Sequence, residues 1–160
     1  MLDTKLEQSE RGDCAANLYE QDFYAWTQDQ AELLRLGKWQ ALDIENLAEE
    51  IESLGKQQKQ ELRNRLGILI GHFLKWEFQS ELRSKSWKAT IREQRKQVQL
   101  NLKDNPSLKS YLEEAIGEAY ELALALVVRE TPLDYKDLPS ECPYAIAQIL
   151  DPQFPEGSDR

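Results

Sequence analysis

Histidine occurs once in the sequence, as His72, and any acid–base reading has to begin there. An imidazole titrates near neutrality, so His72 would serve as a general base if another helix supplied a Glu or Asp to orient it. Its helical neighbours four residues away are Ile68 and Trp76, which makes its flank apolar and favours a packed imidazole bonded once to a neighbouring helix. The carboxylates Glu45, Glu49 and Glu52 share one helix face, with Glu50 turned elsewhere. Two-metal sites in helical bundles combine such carboxylates with Glu-x-x-His on two helices. Here Leu69 stands three before His72 and there is no second histidine, so the acidic turn is expected to favour the helix dipole and form ion pairs instead. Thr90 and Ser86 have no histidine within a turn. Phosphate loop, paired-cysteine, nucleophile-elbow and zinc-protease motifs are all missing from the sequence. No catalytic residue, metal ligand or cofactor is therefore predicted, and an enzyme built around His72 is the remotest reading.

Charge is distributed unevenly. From Lys56 to Lys103 there are twelve Lys/Arg against four Asp/Glu, in a chain whose net charge is −9. Lys88, Arg92 and Lys96 recur every four residues, Arg95 lies beside them, and Trp76, Phe78 and Trp87 are interleaved. One reading is a phosphate-contacting surface with aromatic support. The preferred one is neutralisation within the molecule. A chain turning back at Pro106 would bring Arg92 near Glu118, and Lys96 near Glu113 and Glu114. With its charge matched in this way, the stripe is expected not to bind duplex DNA or RNA at about 150 mM salt.

The elements that must position these groups are all helical. Asp43 to Phe78 reads as one long amphipathic helix, roughly 54 Å at the standard rise, with Asp43 as N-cap. Ile44, Leu47, Ile51 and Leu54 form an apolar stripe along its first half, and Gly55 is the one place where it could break. Between Gly67 and Phe78 the apolar residues spread around most of the circumference, as in a segment enclosed on several sides. Gly67 and Gly71, four apart, would let another backbone come close. A first helix is expected from Glu20 to Leu36, ended by Gly37 in the left-handed conformation. A third should run from Ser86 to Leu102 with Trp87, Ile91, Gln94, Val98 and Leu102 inward. Asn105-Pro106 restarts the chain into a fourth, Pro106 to Glu130, and a short one follows from Ser140 to Leu150. Trp76 and Trp87 are expected inside, near the turn joining the second and third helices.

The 160 residues include 31% charged and 41% apolar side chains, ordinary for a soluble helical protein and long enough to bury roughly 70% of the unfolded surface. Residues 1–17 are polar and aperiodic and are expected to form a mobile tail, residues 18–156 one domain, and 157–160 a C-terminal tail. No signal peptide is read at the start, and no apolar run approaches the ~20 residues needed to span a bilayer. Cys14 and Cys142 lack metal-ligand spacing and suit a reducing cytoplasm. The fold predicted is all-α, an up-and-down antiparallel bundle of about four main helices, one very long, with a short C-terminal helix.

Five stretches, taken together, have a further meaning. They are LYEQDFYAWTQDQAELLRLGKWQALDIENLAEEIESLG, HFLKWEFQ, SWKATIREQR, DNPSL and ECPYAIAQILDPQFPE. In this order and spacing the chain resembles, over residues 18–156, the bacterial family catalogued as domain of unknown function 29. On its motifs fall Tyr19, Asp22, Trp26, Asp43, Leu47, Glu49, Glu50, Glu52, His72, Lys75, Trp76, Trp87, Thr90, Ile91 and Arg95. The resemblance implies a small, wholly helical, cytoplasmic protein and carries no activity with it. The function expected is a non-enzymatic protein-interaction or regulatory module. It would bind an unknown protein or itself through the Gly67–Phe78 segment and a loosely packed C-terminus. The alternative is nucleic-acid or phosphate binding by Lys88, Arg92, Arg95 and Lys96. His72, Trp76, Trp87 and Thr90 are the candidates for a structural or functional core, and membrane partners are not expected.

Overall fold

The computed structural model describes residues 18–156; the expected tails at 1–17 and 157–160, and Cys14, lie outside them. The protein is all-α, and among the described residues there is no strand. It divides into two compact units, the first ending at Lys56 and the second beginning at Gln57.

In the first unit a helical turn at residues 18–21 precedes α1, Phe23–Arg35. Asp22 breaks between them and caps α1 by accepting from the Ala25 amide at 3.0 Å, so the helix begins later than the Glu20 expected from periodicity. Gly37, at φ +67°, ends it, with Lys38 N–H donating to Leu33 O at 3.0 Å and Gly37 N–H to Leu34 O at 3.2 Å. That is the glycine-terminated helix end anticipated above. After a 3-10 turn, Trp39–Ala41, α2 begins, Ile44–Phe78. Asp43 is the hinge pin of this unit. Its backbone N–H donates to Gln30 Oε1 at 2.8 Å, and its carboxylate accepts from Trp26 Nε1 at 3.1 Å and from Asn46 Nδ2 at 2.7 Å. Trp26, 2% exposed, sits among Tyr19 and Phe23 with ring centroids at 4.8 and 5.6 Å.

α2 runs unbroken through Gly55, so the glycine does not end the helix. Its first half is less enclosed than its second. The apolar stripe is not covered: Ile44, Ile51 and Leu54 are exposed at 61%, 66% and 60%. The helical turn ahead of α1 is bonded to the neighbouring face instead, where Asn46, Glu50 and Ser53 are partly buried and Tyr19 donates to Glu50; of the stripe itself only Leu47 is partly buried.

The second unit is a three-helix bundle with a C-terminal strap. α3, Lys85–Asp104, is capped by Ser84, which accepts from Trp87 N–H at 3.2 Å. α4, Leu112–Glu130, follows a 3-10 segment, Pro106–Tyr111, where a continuous fourth helix was expected. α2 and α3 are antiparallel, joined by Arg65–Gln94 and Asn101–Gln58. α2 and α4 are parallel, joined by Arg63–Glu118 and Lys75–Glu130. Along this seam the small residues touch. A Cβ at Gly67 would lie 3.0 Å from Leu122 Cβ and 3.3 Å from Ala119 O, and one at Gly71 would lie 3.3 Å from Ala123 O. The core gathers Leu66, Ile70, Phe73 and Leu74 of α2, Ile91 and Val98 of α3, and Ala119, Ala123 and Val127 of α4.

The strap, residues 131–156, contains α5, Ile146–Leu150, which begins six residues later than the expected start at Ser140. Pro143 explains the delay, since it has no N–H and disfavours a helical Cys142 before it. Nor is this end loosely packed. Phe73, Tyr144 and Phe154 meet edge-on at 5.1–5.5 Å, and Trp76 Nε1 donates to Glu156 O at 3.2 Å.

Candidate functional site

The sole histidine lies on α2 one turn from a buried lysine. His72 Nδ1 donates to Ile68 O at 2.8 Å within its own helix, rather than to a neighbouring helix as expected. The bond fixes the tautomer, because a carbonyl can only accept. Burial holds its pKa below the ordinary 6.5, and the Lys75 charge pushes in the same direction. Lys75, 3% exposed, donates to Glu130 Oε2 at 2.8 Å and lies 4.5 Å over the Trp87 ring. Its bond to Glu130 holds that carboxyl below the usual carboxylate range. A buried ammonium needs both a counter-charge and packing, and Glu130 and Trp87 provide them. Lys75 was a legible signal, being the one charge between Gly67 and Trp76, yet its partner 55 residues on could not be read.

Trp76 is buried and flanked by two cations, Arg83 at 4.8 Å and Lys88 at 5.7 Å from its ring. Trp87 is only partly buried, against the expectation that both would lie inside. Thr90 Oγ1 donates to Ser86 O at 3.0 Å in the preceding turn, a local bond with no catalytic partner attached. Cys142 is half-buried, and burial raises its thiol pKa, which leaves little of the reactive thiolate.

The basic candidates separate. Arg95 is 5% exposed and points inward. It donates to the carbonyls of Ile149, at 3.1 Å, Pro152 and Phe154. Its guanidinium clamps the strap to α3 and is not part of any outward surface. The spacing had carried the signal, since Arg95 follows the inward-facing Ile91 by four. Burial lowers its pKa, opposed by the Asp151 charge. Lys88 is partly buried, and Arg92 and Lys96 are exposed. The expected cover by α4 is not formed. Glu118 goes to Arg63 at 2.6 Å and to the Tyr111 hydroxyl at 2.7 Å, because it is turned toward parallel α2 and cannot also reach α3.

The expected binding segment is also displaced. From Leu69 through Trp76 every residue is buried, so most of Gly67–Phe78 is core, and only its last two residues, Glu77 and Phe78, are exposed. Apolar exposure is concentrated elsewhere. Of the thirteen large hydrophobic side chains most exposed, eight fall between residues 18 and 56: Phe23, Tyr24, Leu34, Leu36, Trp39, Ile44, Ile51 and Leu54. Only Trp26 and Gln30 are buried in the same stretch.

Fold and site together define an all-α protein in which His72, Lys75, Thr90 and Arg95 are each bonded within the molecule. Among the described residues no three His, Cys, Asp or Glu side chains are grouped to hold a metal, and no helix is long and apolar enough to cross a membrane. The family model described as "Domain of unknown function DUF29" matches residues 18–155. The chain belongs to this family. No curated protein and no solved structure matches it.

Proposed function

We propose that this chain is a non-enzymatic protein-interaction module working in the cytoplasm, the last point resting on the family resemblance alone. The observation that carries the reading is the concentration of exposed apolar side chains on residues 18–56, where only one large apolar side chain is buried. Exposed apolar side chains gathered in one stretch of chain in this way are what an interaction surface presents. Asp22, Asp43 and Glu50 hold the stretch in shape without a core of its own, so its apolar residues are free for a partner. The test is capture from the cells that make the protein, with nuclease present, using wild type beside an Ile51→Asp, Leu54→Asp variant. A stoichiometric companion that the variant loses supports the reading; capture that depends on nucleic acid or ignores the variant overturns it.

One observation favours a second reading, binding of phosphate-rich polymers. Arg92 and Lys96 are exposed on α3 and lack the acidic cover expected from α4. Fluorescence anisotropy against generic DNA and RNA over a salt series tests it. Micromolar binding that weakens steeply with salt, and that Arg92→Glu with Lys96→Glu abolishes, would put this reading first.

A further inference from the structure

We propose that the first half of α2 is a docking face for a basic amphipathic helix of a partner protein. The inference rests on the interaction reading above and names the partner's chemistry. Ile44, Leu47, Ile51 and Leu54 recur at three and four along the helix, the spacing by which one helix presents anchors to another. Ile44, Ile51 and Leu54 are more than half exposed, and Leu47 is partly buried. Ala48 and Gly55 lie on the same stripe and are exposed, and a Cβ at Gly55 would meet nothing within 4 Å. The stripe is therefore low along the side next to its acidic row, where a second helix backbone can approach.

Charge selects the occupant. Glu45, Glu49 and Glu52 form an exposed row along one edge of the stripe, and residues 18–56 carry nine Asp/Glu against three Lys/Arg. A second copy pairing through this same face would bring the same acidic excess, and like charges set face to face oppose pairing. The chain's own residues 1–17 carry four Asp/Glu against two Lys/Arg, so they do not complement the face either. A helix with Leu or Ile along one side and Lys or Arg beside them satisfies both the stripe and its acidic edge.

The probe is a fluorescein-labelled peptide of about 18 residues, with leucines at i, i+3, i+4 and i+7 and lysines elsewhere. It is titrated by anisotropy against the full chain at about 150 mM salt, beside a scrambled peptide of equal composition and a leucine–glutamate helix. Binding of the leucine–lysine helix at least tenfold tighter than either control is expected. Ile51→Asp with Leu54→Asp, and separately Glu45→Lys, Glu49→Lys and Glu52→Lys together, should each weaken it at least tenfold. All these positions are exposed, so the helical spectrum and melting of the variants should stay those of wild type. Equal affinity for the scrambled peptide, or variants that leave the Kd unchanged, overturns the proposal. Sedimentation separates the two levels of the reading. A dimer that Ile51→Asp with Leu54→Asp dissociates makes a second copy the occupant, so the proposal falls while the interaction module stands. A monomer that binds no peptide counts against both.

Discussion

His72 shows how burial converts one residue into a pH dependence of the whole chain. Its pKa is lowered in the fold, chiefly by burial, so the unfolded chain takes up a proton more readily. The stability it contributes is complete above the ordinary value of 6.5 and is lost as pH falls below it. Glu130, also lowered, acts in a separate window, its contribution present above 4.5 and lost as pH falls through its depressed pKa. Because histidine occurs once, the interval between the two windows belongs to it. The Tm should decline between about pH 7 and pH 5, and His72→Gln should flatten that decline. An equal slope in the variant would assign the effect to other groups. Arg95 makes a second residue-scale prediction. Arg95→Ala leaves the carbonyls of Ile149, Pro152 and Phe154 without their donor, and should cost about 3 kcal/mol or more. Limited proteolysis should then cut first within residues 146–156. Arg95→Lys should recover only part of the loss, since an ammonium cannot reproduce the guanidinium fork.

At the scale of the element, α2 contains three glycines under opposite constraints. Gly67 and Gly71 lie in the seam with α4, where an added Cβ would press on Leu122 Cβ and on backbone oxygens. Neither kind of atom can swing aside, so α2 and α4 would have to separate. Gly67→Ala should destabilise by about 1–3 kcal/mol, as overpacking does. Gly55 faces open space, and there the helix carries glycine's backbone entropy with no packing in return. Gly55→Ala should stabilise by about 0.5–1 kcal/mol. Urea unfolding of both variants decides it; substitutions of like sign would contradict the packing difference between the two ends of one helix.

At the scale of the molecule, the two units differ in how their residues are held. Between Gln57 and Glu156 the core draws on α2, α3, α4 and the strap, whereas residues 18–56 bury only Trp26 and Gln30 and rely on hydrogen bonds around Asp43. Local opening is easiest where buried apolar contact is sparse. Native-state hydrogen exchange should therefore grade along a single helix. Amides of residues 48–56 should exchange at least tenfold faster than those of residues 66–76, although all are helical. Uniform protection along α2 would show that the first unit draws stability from contacts other than its own core.

Much of the fold was legible in the chain. Helical periodicity, the Asp43 cap, the Gly37 stop and the Asn105-Pro106 restart are local, decided by neighbours within a turn, and the elements follow them. The all-round apolar Gly67–Phe78 segment was read as enclosed, and it is the heart of the second unit; its use as a binding surface was the part that failed. Periodicity states that a face is apolar but not that anything covers it. Ile44, Ile51 and Leu54 form a one-sided apolar stripe as Ile91 and Val98 do on α3, yet the first three are exposed and the last two buried. The same limit applies to charge. Composition located the basic stretch, but only the parallel arrangement of α2 and α4 gave Glu118 to Arg63 and Glu130 to Lys75, leaving Arg92 and Lys96 in water. The sequence by itself determined the helices and their caps because those are short-range. Only the tertiary structure decided which faces are closed and which charges are paired, because both depend on residues tens of positions apart arriving at the same place.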